Sequence, residues 1–471
     1  MIKRSIVFLA DGARADVFFE LQSRGELPHI SRWLVSAGAA RKAVTSFPST
    51  TGPAYLPFLT GCFPGTCNVP GIRWLDKVRY ESGGFSLLKH RSYVGLESFL
   101  MGRDISPHVR TIFEIAPGSF SIFNPMSRGA GFIRNRTSYA RIWYWYYAHL
   151  TDHWSLPDGA ALEKTLNVLK RGCRFLFTVF PGIDEYSHLT HPRHEKVIER
   201  YKWLDSAVGE IAEYLGKKGE WDSTELWLVS DHGLSQTHTH FCVNTFLEGQ
   251  GLPAFFYPLI FEKRGKLSAS MVSGNGMSHI YFKNHDGWTR HTVRSELERL
   301  APNLLKDLLN EEAVDIISVR NSDGGIDVMS KKGEACIHLD GHNIRYDVKG
   351  GDPFGYHGLP SNLDPKKSLE ATYDSDYPDA PFQLAHIFTA SRAGDLILSA
   401  KAGFDLRLKY ENPEHKASHG SLDKSHMMVP LLCSRPFKDR PTRTADVFPT
   451  ILNSLGIPIP GYIDGIPLSP S

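Results

Sequence analysis

Three apolar segments of this chain are followed within four residues by aspartate, and this recurrence limits the possible folds more than any other feature. Residues 6–10 precede Asp11, residues 175–180 precede Asp184, and residues 226–230 precede Asp231. A short, uninterrupted apolar run is typical of a strand that is buried on both faces of a parallel sheet. Such sheets present ligands at the carboxyl ends of their strands, so we expect the three aspartates to meet at one edge.

The remaining patterns extend this picture to a doubly wound α/β fold. Apolar residues at spacings of three and four between Val197 and Leu215 predict a long amphipathic helix with one buried stripe. Further core strands are expected at 43–46, 395–399 and 428–432, and further helices at about 159–169 and 444–455. Strands that alternate with helices predict a mostly parallel sheet covered by helices.

Residues 245–390 have a different sequence pattern. Short runs of alternating apolar and polar residues lie between Gly and Asp turns, and a charged helix is expected at about 292–309. We interpret this region as an inserted α+β cap subdomain. The catalytic α/β core would then be discontinuous, formed by residues 1–244 and 391–471. A chain of 471 residues is long enough for one large core with such an insertion.

The composition is that of a soluble globular protein, with 41% hydrophobic and 22% charged residues. The net charge of +2 offers no electrostatic argument for nucleic acid or an anionic membrane as a partner. No segment approaches the ~20 apolar residues that span a bilayer. The N-terminus lacks the features of a signal peptide, so we expect a cytoplasmic protein whose six scattered cysteines are reduced.

A hydroxyl-rich segment follows the expected strand at 43–46. Ser49, Thr50 and Thr51 precede Gly52 and Pro53, and Pro after a hydroxyl residue is a signal for a helix N-terminus. A hydroxyl held there faces backbone amides and the positive end of the helix dipole, which favours a phosphate oxyanion. On these residues alone, an ordinary helix cap remains the alternative.

The order of the motifs along the chain is more specific than any one of them. The motifs are Asp11-Gly12, Thr51-x-Pro53 with Thr60-Gly61, Asp184-x3-His188, Ser230-Asp231-His232-Gly233, and His419-Gly420. This order resembles the alkaline phosphatase superfamily, and within it the type I phosphodiesterase/nucleotide pyrophosphatase branch. The resemblance covers about residues 1–75, 170–240 and 390–471, and it implies a three-layer α/β/α core with a mostly parallel sheet.

The resemblance also implies a site for two divalent metal ions, zinc or else manganese. One ion would be held by Asp11, Thr51, Asp231 and His232, and the second by Asp184, His188 and His419. Asp and His side chains at strand ends suit zinc better than an oxygen-rich calcium site. Thr51 would be the nucleophile and would form a phospho-threonine intermediate during hydrolysis of a small phosphorylated substrate, such as a nucleotide, a metabolite or a lipid head group.

The chain departs from this family at two places. The family usually has Asn-His after Thr-x-Pro, where this chain has Ala54-Tyr55, and a phosphate-binding Asn is replaced near Arg73. Arg73 could bind two phosphate oxygens in a fork, although a surface arginine beside a packed tryptophan is an equal alternative. A phosphomonoesterase with the same metal site, and an inactive protein that binds a phosphorylated ligand, therefore remain open.

Two further groups have no assigned role. The aromatic cluster at 143–147 could line a substrate lid or contact lipid, but we favour plain packing because aromatic side chains dominate protein cores. His238 and His240 follow the Asp231-His232 motif closely and would share one face of a strand. We leave both outside the metal-ligand set.

Overall fold

A six-stranded sheet forms the centre of the computed structural model, which describes residues 2–81, 89–136, 138–258, 265–409 and 414–471. Its strands, in spatial order, are Ala39–Val44, Met428–Cys433, Thr224–Val229, Arg4–Ala10, Phe175–Phe180 and Ser119–Ile122. We call this sheet the core sheet. The four strands from Thr224–Val229 to Ser119–Ile122 pair in parallel, whereas Met428–Cys433 is antiparallel to both of its neighbours. The sheet is therefore mostly parallel, which confirms the predicted α/β class.

The helices that accompany the core sheet lie close to the predicted positions. The long helix is Glu195–Lys217, and the apolar residues of its predicted stripe from Val197 to Leu215 are buried in the main hydrophobic core. The other α-helices of the regions outside 245–390 are Ala15–Ser23, Pro28–Ile30, Leu56–Thr60, Lys77–Glu81, Met101–Asp104, Ile112–Ile115, Gly131–Arg134, Ser138–Thr151, Ser155–Arg171, Gly182–Leu189, Lys424–Met427 and Val447–Ser454, with a π-helical turn at Ser31–Val35 and 3-10 turns at Pro53–Tyr55, Gly95–Leu100, Trp221–Ser223 and Thr444–Asp446.

A second sheet of nine strands contains most of the region between residues 245 and 400. In spatial order its strands are Ala254–Phe256, Ser268–Ser273, Met277–Phe282, Leu396–Ala400, Val314–Arg320, Ile326–Ser330, Gly333–Asp340, Asn343–Lys349 and Asn362–Leu363. All of its pairs are antiparallel except the first. The helices that accompany this sheet are Val243–Gly249, Arg294–Leu300, Leu304–Asn310, Pro365–Thr372 and Ala380–Ile387. Three short strand pairs complete the described elements: Arg73–Leu75 with His90–Ser92, Ser235–Gln236 with Ala417–Ser418, and Thr239–His240 with Phe404–Asp405.

Two sequence-based predictions fail in this region. The strand expected at 395–399 in the core lies at Leu396–Ala400 in the second sheet, between Met277–Phe282 and Val314–Arg320. The chain therefore does not return to the core sheet with this strand. The predicted boundary between cap and core at 390/391 loses the support of this strand and stays a prediction. The single helix expected at 292–309 is broken into two helices at Ala301 and Pro302, since proline lacks the amide hydrogen of a helix interior.

Two buried ion pairs connect the second sheet and its helices with the rest of the chain. Lys77 Nζ lies 2.8 Å from Asp395 Oδ2, and Arg443 Nε lies 2.7 Å from Asp379 Oδ2. Removing one partner of a buried pair leaves an uncompensated charge and typically costs several kcal/mol, about 3–5. The second sheet and its helices are thus held to the rest of the chain by specific buried charges as well as by apolar packing.

Candidate active site

The ends of three adjacent core strands bring the predicted aspartates together. Asp11 directly follows Arg4–Ala10, the strand that lies between Thr224–Val229 and Phe175–Phe180. Asp231 follows the first of these neighbours, and Asp184 lies in the first turn of the helix after the second. Because the three strands are parallel and adjacent, their carboxyl ends share one edge of the sheet, as the sequence predicts.

Thr51 lies directly against this group of side chains. Its Oγ1 is 3.3 Å from Asp11 Oδ1 and 3.0 Å from His232 Nε2. Gly52, with φ +94°, occupies the cap position of the 3-10 turn Pro53–Tyr55. The Thr51 hydroxyl is therefore not a helix cap and points instead to a carboxylate and an imidazole.

Two overlapping groups of buried side chains have the composition of metal sites. Asp11, Asp231 and His232 form one group, and Asp184, His232 and His419 form the other, with ligand atoms within 4.8 Å of one another in each. His188 reaches the second group through Asp184, with 3.4 Å between Nε2 and Oδ2. All seven residues of the predicted ligand set thus lie at one place, and their division between two ions remains a prediction.

The three histidines are oriented by hydrogen bonds from the same ring nitrogen, Nδ1, to backbone carbonyls. The Nδ1 atoms of His188, His232 and His419 lie 2.7, 3.1 and 3.1 Å from the carbonyl oxygens of Ala417, Gly233 and Ser49. A carbonyl oxygen only accepts hydrogen bonds, so Nδ1 donates in each case, and the Nε2 atoms of His188 and His232 face the aspartates. Backbone contacts of this kind fix the tautomer and orientation of metal-binding histidines.

The electrostatics of the cluster favour a cation. Asp184 Oδ1 and Asp231 Oδ2 are buried and have no hydrogen-bond partner among the described residues. Burial and the negative charge of Asp184 raise the pKa of Asp11 to about 7, and burial with repulsion from Asp11 and Asp184 raises the pKa of Asp231 well above its usual value. Buried carboxylates without partners are costly, and the donor set fits divalent metal ions such as zinc or manganese.

The pKa values of the three imidazoles shift in opposite directions. Burial lowers the pKa of His232 to about 4 and lowers that of His419 well below its ordinary value, so both rings are neutral near pH 7. Burial also opposes charge on His188, but the adjacent Asp184 carboxylate outweighs it and raises the pKa to about 10. A neutral imidazole is the form that binds metal, so metal binding by His188 would release its proton.

Gly12 permits the close approach of Asp184 to Asp11. Its φ is +70°, and a Cβ atom at this position would lie 2.7 Å from Asp184 Oδ1. Glycine is therefore required after Asp11 both for the backbone conformation and for space. This gives a structural reason for the Asp-Gly pair recognised in the sequence.

Sequence reasoning missed the contribution of the second sheet to the site. The turn between Ser268–Ser273 and Met277–Phe282 lies against His419, whose backbone N–H donates to Gly274 O at 2.9 Å and whose carbonyl accepts from Gly276 N–H at 2.7 Å. Asn275 in this turn also lines the cavity above Thr51. A Gly-Asn-Gly sequence between two strands indicates such a turn, but not what the turn contacts.

Tyr55, which stands where the family has histidine, also belongs to the site. Its buried hydroxyl donates to Asp11 Oδ2. Burial and the charges of Asp11 and Asp231 raise the pKa of Tyr55 well above its usual value, so the phenol keeps its proton. Tyr55 therefore orients one oxygen of Asp11 while the other oxygen faces Thr51.

Arg73 and Arg141 reach the same cavity from different directions. Arg73 is buried, and it donates from Nη1 to Val272 O at 2.8 Å and from Nε to Ser92 Oγ at 3.2 Å. Arg141 lies on the helix Ser138–Thr151 with its guanidinium 4.5 Å from the centre of the Trp145 ring, and its buried Nη1 has no hydrogen-bond partner among the described residues. Arg141 was not recognised from the sequence because no motif surrounds it.

The cavity above Thr51 has a polar floor and largely apolar walls. Its volume is about 600 Å³, and its floor includes Asp11, Thr51, Asp184, His188 and His419. The walls include Ile72, Tyr93, Phe99, Met101, Ile142, Trp145, Tyr146, Leu150 and Trp154. Part of the aromatic cluster therefore lines the cavity, as one of the alternatives for residues 143–147 predicts.

The other histidines of interest lie apart from the two metal-like groups. His240 Nε2 is 2.8 Å from Glu414 Oε1, and its Nδ1 is 3.1 Å from Arg407 O. His238 is exposed. Neither belongs to the groups of potential ligands found among the described residues, and their exclusion from the ligand set stays a prediction.

Comparisons with known proteins agree with this geometry. The family model described as type I phosphodiesterase / nucleotide pyrophosphatase matches residues 5–422. Proteins named GPI ethanolamine phosphate transferase 1 from Emericella nidulans and Neurospora crassa are 23% and 22% identical to the chain over 254 and 252 residues, which is 50% of this chain in each case. These matches cover 26% and 24% of the two relatives, so the chain spans about a quarter of their length.

Solved structures share the fold along almost the whole chain. Murine ectonucleotide pyrophosphatase / phosphodiesterase 5 superposes with a TM-score of 0.58 at 13% identity and covers 97% of this chain and 96% of its own. Phosphonoacetate hydrolase from Sinorhizobium meliloti 1021 superposes with a TM-score of 0.58 at 14% identity and covers 96% and 95%. At such identities these likenesses establish the fold alone.

The core sheet is mostly parallel, and buried Asp and His side chains cluster at the ends of its strands. The chain belongs to the type I phosphodiesterase / nucleotide pyrophosphatase family, whose model matches residues 5–422. Phosphoester cleavage or transfer is the chemistry that this membership supports.

Proposed function

We propose that the protein hydrolyses phosphodiesters with Thr51 as the nucleophile. The observation that carries this proposal is the position of Thr51 Oγ1 at the cavity floor, 3.3 Å from Asp11 Oδ1 and 3.0 Å from His232 Nε2. A free threonine hydroxyl is a weak nucleophile and needs such an environment to react. Thr50 and Ser49 do not share it, since Ser49 donates to Ser421 O at 2.8 Å and Thr50 Oγ1 is buried without a partner among the described residues.

The reaction would proceed in two displacements at phosphorus. The Thr51 oxygen forms a bond to phosphorus, the bond to the first ester oxygen breaks, and that oxygen leaves as an alcohol with one proton. Water then forms a bond to phosphorus and the Thr51–phosphorus bond breaks, which restores the hydroxyl. Tyr55 keeps Asp11 oriented through both steps, while His188, His232 and His419 are held by their backbone contacts.

We propose zinc or manganese as the cofactor, held by Asp11, Thr51, Asp231 and His232 at one position and by Asp184, His188 and His419 at the other. Two such ions, when bound, lower the pKa of a coordinated hydroxyl and neutralise charge on the phosphoryl oxygens. The buried carboxylate oxygens without partners support this assignment.

The shape of the cavity favours a diester over a monoester. The phosphate itself fills only the floor near Thr51, and a volume of about 600 Å³ with aromatic walls has room for two ester groups, of which a monoester supplies one. Ligand cavities of this size are typically apolar with a few polar groups that orient the ligand. We therefore place the phosphate on the floor and the second ester group against Trp145 and its neighbours.

The test compares bis(p-nitrophenyl) phosphate with p-nitrophenyl phosphate on the zinc- and manganese-loaded protein. We expect a higher kcat/KM for the diester. A higher value for the monoester would support the phosphomonoesterase alternative, and bound metal without turnover of either substrate would support a binding protein. Because the curated relatives are named as transferases, product analysis with an added alcohol distinguishes transfer from hydrolysis.

Arg141 should contribute directly to substrate binding. We expect Arg141→Gln to raise KM for the diester by roughly ten- to a hundredfold, because a charge-assisted hydrogen bond contributes about 1.5–3 kcal/mol. Arg73→Gln should in addition lower protein stability, because the Arg73 guanidinium already donates hydrogen bonds to Val272 O and Ser92 Oγ. Steady-state kinetics and thermal unfolding distinguish the two effects.

The control for Arg141 is Arg134→Gln, which removes an exposed arginine from the same segment. This variant should keep the wild-type KM. Equal KM values for Arg141→Gln and the wild-type protein would exclude contact between Arg141 and the substrate.

A further inference from the structure

The helix Ser138–Thr151 has an unusual outer face. Trp143, Tyr146, Tyr147 and Leu150 follow each other at spacings of three, one and three residues and are all exposed, Trp143 at 58% and Leu150 at 84%. Such spacing places them on one side of the helix. We call these four residues the outer stripe. A helix that faces water normally carries polar side chains there.

The inner face of the same helix is apolar as well. The rings of Tyr144 and Trp145 each lie 5.3 Å from the ring of Phe123, and Trp145 also lies 6.0 Å from Trp154. The prediction of plain packing therefore holds for this face only. A helix that is apolar on both faces has a second apolar surface to cover, and a contiguous exposed patch of this kind marks an interaction site.

Local charge adds a second, independent observation. Residues 129–151 contain three arginines, Arg134, Arg136 and Arg141, and no Asp or Glu. Arg134 is exposed beside the apolar residues Phe132 and Ile133, which are also exposed. The net charge of +2 for the whole chain conceals this basic segment, so the sequence-wide argument against an anionic partner does not apply to it.

The outer stripe is continuous with the catalytic cavity. Ile142, Tyr146 and Leu150 line both the cavity above Thr51 and an open groove on the outside of the helix, where Trp143 and Tyr147 join them. One apolar surface therefore extends from the walls of the active site to the exterior.

We propose that the outer stripe, together with Arg134 and Arg136, docks on the surface of a phospholipid bilayer. Trp and Tyr side chains are favoured at the boundary between lipid and water, and arginines bind the phosphates of the head groups. Among the described residues, no helix is both long and apolar enough to cross a membrane, so the contact is peripheral. The docked cavity mouth lies at the level of the lipid phosphates.

A second copy of the chain is a poorer occupant. In a symmetric dimer, each stripe would meet the other stripe, and each basic segment would approach its own copy. Arg134 and its neighbours would then repel one another without an acidic residue from the same segment to compensate. Head-group phosphates complement the same charges.

The test measures binding of the full chain to vesicles of phosphatidylcholine and phosphatidylglycerol by co-sedimentation. We expect the wild-type protein to bind. The double variant Trp143→Ser with Tyr147→Ser should bind at least about tenfold more weakly, since the burial of two aromatic side chains is lost. The matched control, Leu339→Ser with Val348→Ser, removes two exposed apolar side chains from the second sheet and should bind like the wild type. Arg134→Gln with Arg136→Gln should weaken binding to the anionic vesicles and not to pure phosphatidylcholine.

Three results would overturn the proposal: no binding of the wild-type protein, equal binding of the stripe variant, or a wild-type dimer in solution that the stripe variant dissociates. Turnover of soluble bis(p-nitrophenyl) phosphate is measured in parallel, and the stripe variant should keep it. The docking proposal does not depend on the proposed phosphodiesterase activity. A protein that binds vesicles but hydrolyses no phosphodiester would contradict the proposed activity and leave the docking proposal intact. If the stripe variant does not fold, the arginine variant provides the decisive comparison.

Discussion

Thr51→Ala is expected to lower kcat for phosphodiester hydrolysis by about ten-thousandfold or more, as removal of a covalent nucleophile does in other enzymes. The loss should be this large because Thr51 Oγ1 is the hydroxyl that touches both Asp11 and His232. Metal content, measured by elemental analysis, should fall little, because carboxylates and imidazoles supply the other proposed ligands.

Two matched variants make this prediction specific. Thr50→Ala removes the neighbouring hydroxyl, which lines the cavity and contacts neither of these side chains, and it should keep most of the activity. Thr51→Ser keeps a hydroxyl and should retain measurable turnover. If Thr51→Ala stayed active and Thr50→Ala did not, the nucleophile would be Thr50.

Asp231→Asn should have opposite effects on activity and on the stability of the metal-free protein. The variant removes a proposed metal ligand, so we expect kcat/KM to fall about a thousandfold, in line with the several kcal/mol that metal ions contribute to such transition states. It also removes a carboxyl group whose ionisation is opposed by burial and by the charges of Asp11 and Asp184, and which therefore destabilises the metal-free fold above the pKa of an unfolded aspartate. The free energy of unfolding of the metal-free protein should therefore rise by about 1–3 kcal/mol.

Thermal unfolding with and without zinc measures both effects. The wild-type protein should gain stability when zinc is added, by about 2.7 kcal/mol at a hundredfold excess over Kd, and Asp231→Asn should gain much less. Asp315→Asn is the control, since burial also raises the pKa of Asp315, to about 6, but this carboxylate accepts a hydrogen bond from the Tyr377 hydroxyl and is not one of the proposed ligands. An equal response to zinc in the wild type and Asp231→Asn would show that Asp231 is not a ligand.

Much of the site could be predicted because it depends on strand order in a parallel sheet. A buried apolar run followed by Asp places that Asp at the sheet edge, and three such runs in adjacent strands bring Asp11, Asp184 and Asp231 together. The strand at Leu396–Ala400 was misplaced for a related reason. Its apolar run fits either sheet, and its partners Met277–Phe282 and Val314–Arg320 are distant in sequence.

Other features depend on contacts that local patterns do not encode. Arg141 and the Gly274–Gly276 turn reach the site from regions without a motif, so only the tertiary structure shows that they belong to it. The helix Ser138–Thr151 is apolar on both faces, and its periodicity therefore could not tell which aromatic residues pack inward. Tyr55 was seen only as a departure from the family, whereas its hydroxyl orients Asp11.

The most direct test of the proposed chemistry is to trap the covalent intermediate. The metal-loaded protein is mixed with bis(p-nitrophenyl) phosphate, quenched in acid within one turnover, digested and analysed by mass spectrometry. We predict a phosphoryl group, with or without its remaining ester, on Thr51. A modification on Ser49 or Thr50 instead, or a burst of released nitrophenol with no covalent adduct, would contradict the proposed role of Thr51.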